Sequence, residues 1–230
     1  TFFYKIFVMK ALGDTITEFV FGSLQQEEWP RTLNHLQTLE RLEVTGLHPS
    51  LTIIPPEGFH GFETTVTEMS IHDTNLLAVP LGISSLRNLK TLNFDYNINT
   101  GDQGMLIQSF PTGNGTKLVN LSLKGNSLTV FPSVLKYLNH LVKFTIDDNP
   151  LDFLSEESAE NLKTLQELSI RNCSLERIPA ALSTIANLKA IDLSKNAIET
   201  IDNNIKKYWE HSVNKNISYH KLSLNYTKYK

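Results

Sequence analysis

Apolar side chains recur along this chain in a fixed phrase, apolar-x-x-apolar-x-apolar, and each copy predicts a short strand with one buried face. With the first apolar residue as position 1, copies start at Ile16, Leu39, Val66, Leu89, Leu118, Leu141, Leu165 and Leu188. Leu165 and Leu188 stand 23 residues apart, and a recurrent spacing of that size marks stacked units. Positions 4 and 6 are apolar in every copy: Phe19 and Phe21, Leu42 and Val44, Met69 and Ile71, Leu92 and Phe94. They continue as Leu121 and Leu123, Phe144 and Ile146, Leu168 and Ile170, Ile191 and Leu193. These side chains are the predicted core. A lone unit cannot offset the entropy of ordering its own backbone, so neighbours must share faces.

Past each strand, position 9 is Asn97, Asn126, Asn149, Cys173 or Asn196 in the better-formed copies. The chain turns inward there and strands backbone groups away from water. An asparagine amide carries donor and acceptor together and can satisfy them from inside the stack. Cys173 reads as a small buried substitute. The second half of each unit returns along the outer side. Val79-Pro80, Phe131-Pro132 and Ile178-Pro179 open that return, with proline expected at the first position of a short helical turn. The longest unit carries two turn-rich patches, Thr100–Gly104 and Thr112–Thr116, which read as loops.

The phrase L-x-x-L-x-L-x-x-N/C-x-L followed by x-x-I/L-P resembles the leucine-rich repeat family, over Ile16 to about Ile205. The resemblance implies an α/β solenoid: a curved horseshoe with a parallel sheet on the concave side and short helices or turns outside. Leu24 and Leu47 replace the asparagine in the first two copies, so the amide ladder is expected to begin late. The Phe21-Gly-Ser…Trp29-Pro30 and Ile54-Pro-Pro-Glu-Gly-Phe59 segments are similar to secreted invertebrate members, a group that includes the non-catalytic subunit of a shrimp luciferase. The expected layout is an N-terminal covering strand over 1–15, repeats over 16–210, and a C-terminal segment over 211–230 in which Leu222-Ser-Leu224 supplies a last strand.

Positions 3, 5 and 7 alternate with the buried pair and point outward. The candidate partner-facing set is Glu68, Ser70, His72, Thr91, Asn93, Asp95, Asn120, Lys124, Lys143, Asp147 and Arg171, with Tyr96 beside them at position 8. Tyr96 and Arg171 are the expected anchors, because interfaces draw most affinity from aromatic and arginine side chains. Asp95, Asp147 and Asp148 lie close along this face with Asp73 near, but Lys124 stands among them, so the cluster reads as mixed solvated charge and no metal is expected.

Composition narrows the function without naming it. The 230 residues carry a net charge of −3, which offers no basic nucleic-acid footprint. The opening Thr1–Met9 is apolar but too short to span a bilayer, and no other stretch is long enough. Metal-protease, paired-cysteine, nucleophile-elbow and phosphate-loop motifs are absent, so neither an enzyme nor a cofactor is expected. Five N-x-Ser/Thr acceptors occur, at Asn114, Asn120, Asn172, Asn216 and Asn225. The single cysteine excludes an internal disulfide. The leading expectation is a secreted, non-enzymatic module that binds a protein, or a glycan, through its concave sheet. An intracellular scaffold and a non-catalytic subunit supporting an enzyme are the alternatives, the former because cysteine poverty suits a reducing compartment.

Overall fold

The computed structural model describes residues 13–22, 25–97, 117–151, 154, 159, 162–199, 203, 207 and 222–223. Its described strands form one parallel sheet in strict chain order. They are β1 (Glu18–Gly22), β2 (Arg41–Thr45), β3 (Glu68–His72), β4 (Thr91–Asn93), β5 (Asn120–Ser122), β6 (Lys143–Thr145), β7 (Glu167–Ser169), β8 (Ala190–Asp192) and β9 (Leu222–Ser223). Each described strand lies beside its predecessor in the sequence.

Register follows the counted positions without a slip. Phe19, Leu42, Met69, Leu92, Leu121, Phe144, Leu168 and Ile191 are successive partners. Leu222 pairs with Ile191 beyond them. A slip of one residue would send this row to solvent, so burial itself pins the register. From Leu42 to Ile191 every described residue of the row is buried; Phe144 and Ile170 are 0% exposed. Phe19 and Phe21 are the exception: they are only partly buried, packed against the core at the β1 end of the described sheet.

That end is built from aromatic rings. Phe21 packs on Trp29, Trp29 on Phe59, and Phe59 edge-on to Phe62. The Trp29 indole N–H donates to the Gly58 carbonyl at 2.9 Å. A Cβ on Gly58 would approach Ile54 to 2.7 Å and the indole to 3.0 Å, so only glycine fits. Trp29 and the Ile54–Phe59 segment thus meet each other in space.

The return path contains 3₁₀ turns, among them Arg31–His35, Leu81–Ser85, Ser133–Tyr137 and Ala180–Thr184, while Ala159, Asn203 and Lys207 are α-helical. Pro80, Pro132 and Pro179 sit one place earlier than expected, just before the turn rather than inside it. Their φ of about −60° is preset, and their carbonyls accept the first bond, from Ile83, Leu135 and Leu182. A proline there supplies the acceptor and has no N–H to lose. Among the described residues, only Pro56 occupies the first helical position.

Residues 1–12 of the expected N-terminal covering strand, both loops of the longest unit and Leu24 lie outside the described residues, as does most of 211–230, while residues 13–15 form a turn. Among the described residues, no helix is long and apolar enough to cross a membrane.

Candidate partner-binding face

Each strand leaves the sheet through the same local event, which the sequence alone does not announce. The residue at position 8 has positive φ in every described unit from the second onward: Gly46, Asp73, Tyr96, Gly125, Asp148, Asn172 and Lys195 lie between 51° and 63°. Left-handed backbone suits glycine, asparagine and aspartate, and disfavours a bulky side chain such as Tyr96. The kink directs position 9 into the stack.

There the asparagine ladder forms. Asn149 Oδ1 accepts from the N–H groups of Asn126 and Leu128 one unit back, each at 2.9 Å. Its Nδ2 donates to the carbonyls of Leu123, Ile146 and Asp147. Asn126 and Asn196 repeat the pattern, and Asn97 opens it, accepting from Thr74. Leu47 fills the seat in the second unit as a buried apolar plug. Cys173 occupies it with a thiol that donates to Ile146 and Arg171 carbonyls. Burial pushes that thiol up to about 12, so it stays protonated and inert.

A second ladder lies on the concave side. Asp95 Oδ1 accepts from the Ser122 hydroxyl at 2.7 Å and the Lys124 N–H at 2.9 Å. Asp147 Oδ1 does the same for Ser169 at 2.6 Å and the Arg171 N–H at 2.8 Å. An aspartate at position 7 thus clamps the serine at position 5 of the next strand and the backbone beyond it. Asp147 is consequently 8% exposed, which corrects its expected place in the partner-facing set: its carboxylate holds the scaffold. The signal was the pairing of Asp at position 7 with Ser at position 5 one unit later.

Burial, partly offset by the Ser122 and Lys124 bonds, raises the Asp95 carboxyl above its ordinary value. A raised folded-state pKa gives stability that is complete below the unfolded carboxylate value and is lost as pH rises through the folded one. At neutral pH the ionised group therefore carries a cost. Asp95→Asn keeps the accepting oxygen and removes that charge. The variant is expected to match or exceed the wild type at pH 7, by no more than about 1 kcal/mol, and to lose the advantage as pH falls. Urea midpoints at pH 7 and in acid test this; a variant weaker at pH 7 contradicts it.

Tyr96 is committed as well. Its ring covers Gly125 so closely that a Cβ there would collide with it, and its hydroxyl donates to Asp148 at 2.9 Å. Lys124 lies 5.1 Å from the ring centre and 3.4 Å from Asp148, while Asn172 donates to the other carboxylate oxygen. Burial works to raise the Asp148 carboxyl, but the Asn172 and Tyr96 bonds and the Lys124 charge outweigh it, leaving the group below its ordinary value. Tyr96 is a clasp spanning several units and only partly a free surface.

The structure brings the remaining candidates onto one ribbon. Glu68, Thr91, Asn120 and Lys143 are successive register partners, and so are Ser70 and Asn93 one column over. His72 lies between Glu43 and Asp73, at 3.6 and 2.8 Å. Lys143 pairs with Glu167 at 3.2 Å and Arg171 with Asp192 at 3.8 Å. Asn93 and Thr145, in the middle column, have no side-chain hydrogen bond among the described residues. Of the sequons, Asn120 is half-buried and donates to Thr91, Asn172 is exposed, and Asn114, Asn216 and Asn225 lie outside the described residues.

Comparisons with known proteins agree with this geometry. The Leucine Rich Repeat family model matches residues 164–185. The volume-regulated anion channel subunit LRRC8D of Rattus norvegicus is 30% identical over 130 residues, which are 56% of this chain and 15% of that protein. The chain thus spans a small part of the length of that relative. Among solved structures, internalin C2 of Listeria monocytogenes matches with a TM-score of 0.60 at 21% identity, over 94% of this chain and 84% of the other. The Drosophila Toll–Spatzle complex contains a chain matching with a TM-score of 0.64 at 17% identity, over 86% of this chain and 26% of the other. At such identities the structural likeness concerns the fold alone.

Proposed function

We propose that this chain is a leucine-rich repeat protein that binds another protein through the concave sheet without doing chemistry of its own. The observation that carries the reading is the open ribbon of positions 3 and 5. Its centre, from Ser70 through Asn93 and Thr145 to Ser169, is small and polar, in register, and uncovered by any described element. The hydrogen-bonded clamps beneath hold the ribbon rigid, so docking costs little ordering entropy.

The test is steric. Asn93→Trp/Thr145→Trp puts two bulky neutral groups on the middle column without removing a described side-chain bond. Capture of the partner from native material is expected to fall at least tenfold, with unchanged circular dichroism. Unchanged capture sinks the concave-face assignment. The compartment we propose is extracellular, supported by the sequons, of which Asn172 is exposed. Mass spectrometry of the same native material reads it. A glycan at Asn172 supports secretion, whereas bare sequons throughout favour the intracellular scaffold or the enzyme-supporting subunit.

A further inference from the structure

Charge is distributed unevenly along the concave ribbon. Toward the C-terminal side the cations pair one to one: Lys124 with Asp148, Lys143 with Glu167, Arg171 with Asp192. Over β1–β3 the balance fails. Arg41 is shared by three carboxylates, Glu18 at 2.8 Å, Glu43 at 3.0 Å and Glu68 at 3.9 Å, and Asp73 lies beyond them against His72. One guanidinium cannot neutralise three carboxylates, and among the described residues only the His72 imidazole, 3.6 Å from Glu43, also joins this group. Glu18 and Glu68 have more than half of their side-chain surface in water. Beside them stands an apolar group: Val20, in register with Glu43, is 53% exposed, while the described middle-column residues after it are polar.

We infer that the β1–β3 part of the concave face docks a basic segment of a partner protein, with lysine or arginine side chains meeting Glu18, Glu68 and Asp73 around an apolar contact on Val20. The occupant follows from charge complementarity. An acidic or neutral segment would add like charge or leave the surplus unmatched, whereas a basic one completes ion pairs that Arg41 leaves half-made. Val20 gives that segment an apolar footing the rest of the middle column lacks. This inference rests on the concave-face reading and adds to it where on the face the partner sits and what chemistry it presents.

The experiment uses the whole chain and a fluorescein-labelled synthetic peptide in which lysines alternate with valine and threonine, beside a counterpart with glutamate for lysine. Fluorescence anisotropy is expected to show binding of the lysine peptide only, with affinity falling severalfold between about 50 and 200 mM salt. Glu18→Gln/Glu68→Gln/Asp73→Asn should weaken binding at least tenfold. Glu28→Gln/Glu57→Gln/Glu176→Gln makes the same charge change off the ribbon and should stay within twofold. Val20→Ser should weaken binding about threefold and leave the salt dependence as it was. Circular dichroism of each variant reports folding.

No binding of the lysine peptide by the wild type overturns the inference, as does an unaffected ribbon variant. Equal loss in both triple variants overturns it too, by showing attraction to overall charge alone. The tryptophan pair separates this failure from the broader one. If those two residues abolish capture of the native partner while the ribbon charges prove irrelevant, the concave face stands and only the basic-segment claim falls. If they leave capture intact, both fall together.

Discussion

Phe144→Ala is expected to lower the stability of the whole described solenoid by about 3–5 kcal/mol, a large fraction of what a domain of this size holds. Phe144 is 0% exposed in mid-stack, between Leu121 and Leu168 in the same row. It also meets the ring of Phe131 edge-on at 6.0 Å. Truncation removes the transfer energy of the ring and leaves a cavity that two fixed strands cannot collapse into. Because each unit is stabilised by its neighbours, the loss weakens both interfaces together. Val130→Ala, at a side chain 49% exposed, is the matched control and should change stability by less than about 0.5 kcal/mol. Urea titration of both variants decides. Equal midpoints for Phe144→Ala and the wild type would show that the row is not the core.

The period and the period-two alternation made the sheet legible, because both are set by which side chains escape water. Counting from Leu165 or Leu188 gives the row in which Leu168 meets Ile191. The roles of Asn126 and Asn149 could also be read, since a polar residue at the innermost position of an apolar phrase must answer the backbone. Less was legible where the same residue type serves two purposes. Asp147 reads as surface charge, yet it is consumed by Ser169 and the Arg171 N–H, while Asp192 one unit further on stays partly exposed beside Arg171. Tyr96 reads as a binding anchor because aromatic residues often are. Its left-handed backbone and its seat over Gly125 come from a kink that five different residue types hide. Proline marks the return path correctly, but its carbonyl matters there more than its ring.

Asn149→Leu carries the second large expected effect, and it separates hydrogen bonding from volume. Leucine has nearly the shape of asparagine and would sit in an apolar stack, so burial alone predicts a neutral or favourable change. The structure predicts the opposite. Five backbone groups lose their partner at once: the N–H groups of Asn126 and Leu128 and the carbonyls of Leu123, Ile146 and Asp147. Each buried group left unpaired costs about 1–3 kcal/mol, and some of the carbonyls retain other bonds, so a loss of about 3–5 kcal/mol is expected. Cys173 shows how a unit tolerates a poorer partner: in the unit before it, the Leu151 N–H bonds to the Asn149 carbonyl of its own unit rather than to a side chain ahead. Leu47 shows that leucine can hold the seat in the second unit, where Gly46 makes the kink and the ladder has not begun. The decisive measurement is therefore a pair of denaturation curves, for Asn149→Leu and for Leu47→Asn. A strong loss in the first and a small change in the second is expected, because Asn149 belongs to the run of amides from Asn97 through Asn126, whereas Leu47 lies before that run begins. Comparable curves for Asn149→Leu and the wild type would mean that apolar filling, and not the amide ladder, holds the turns inward.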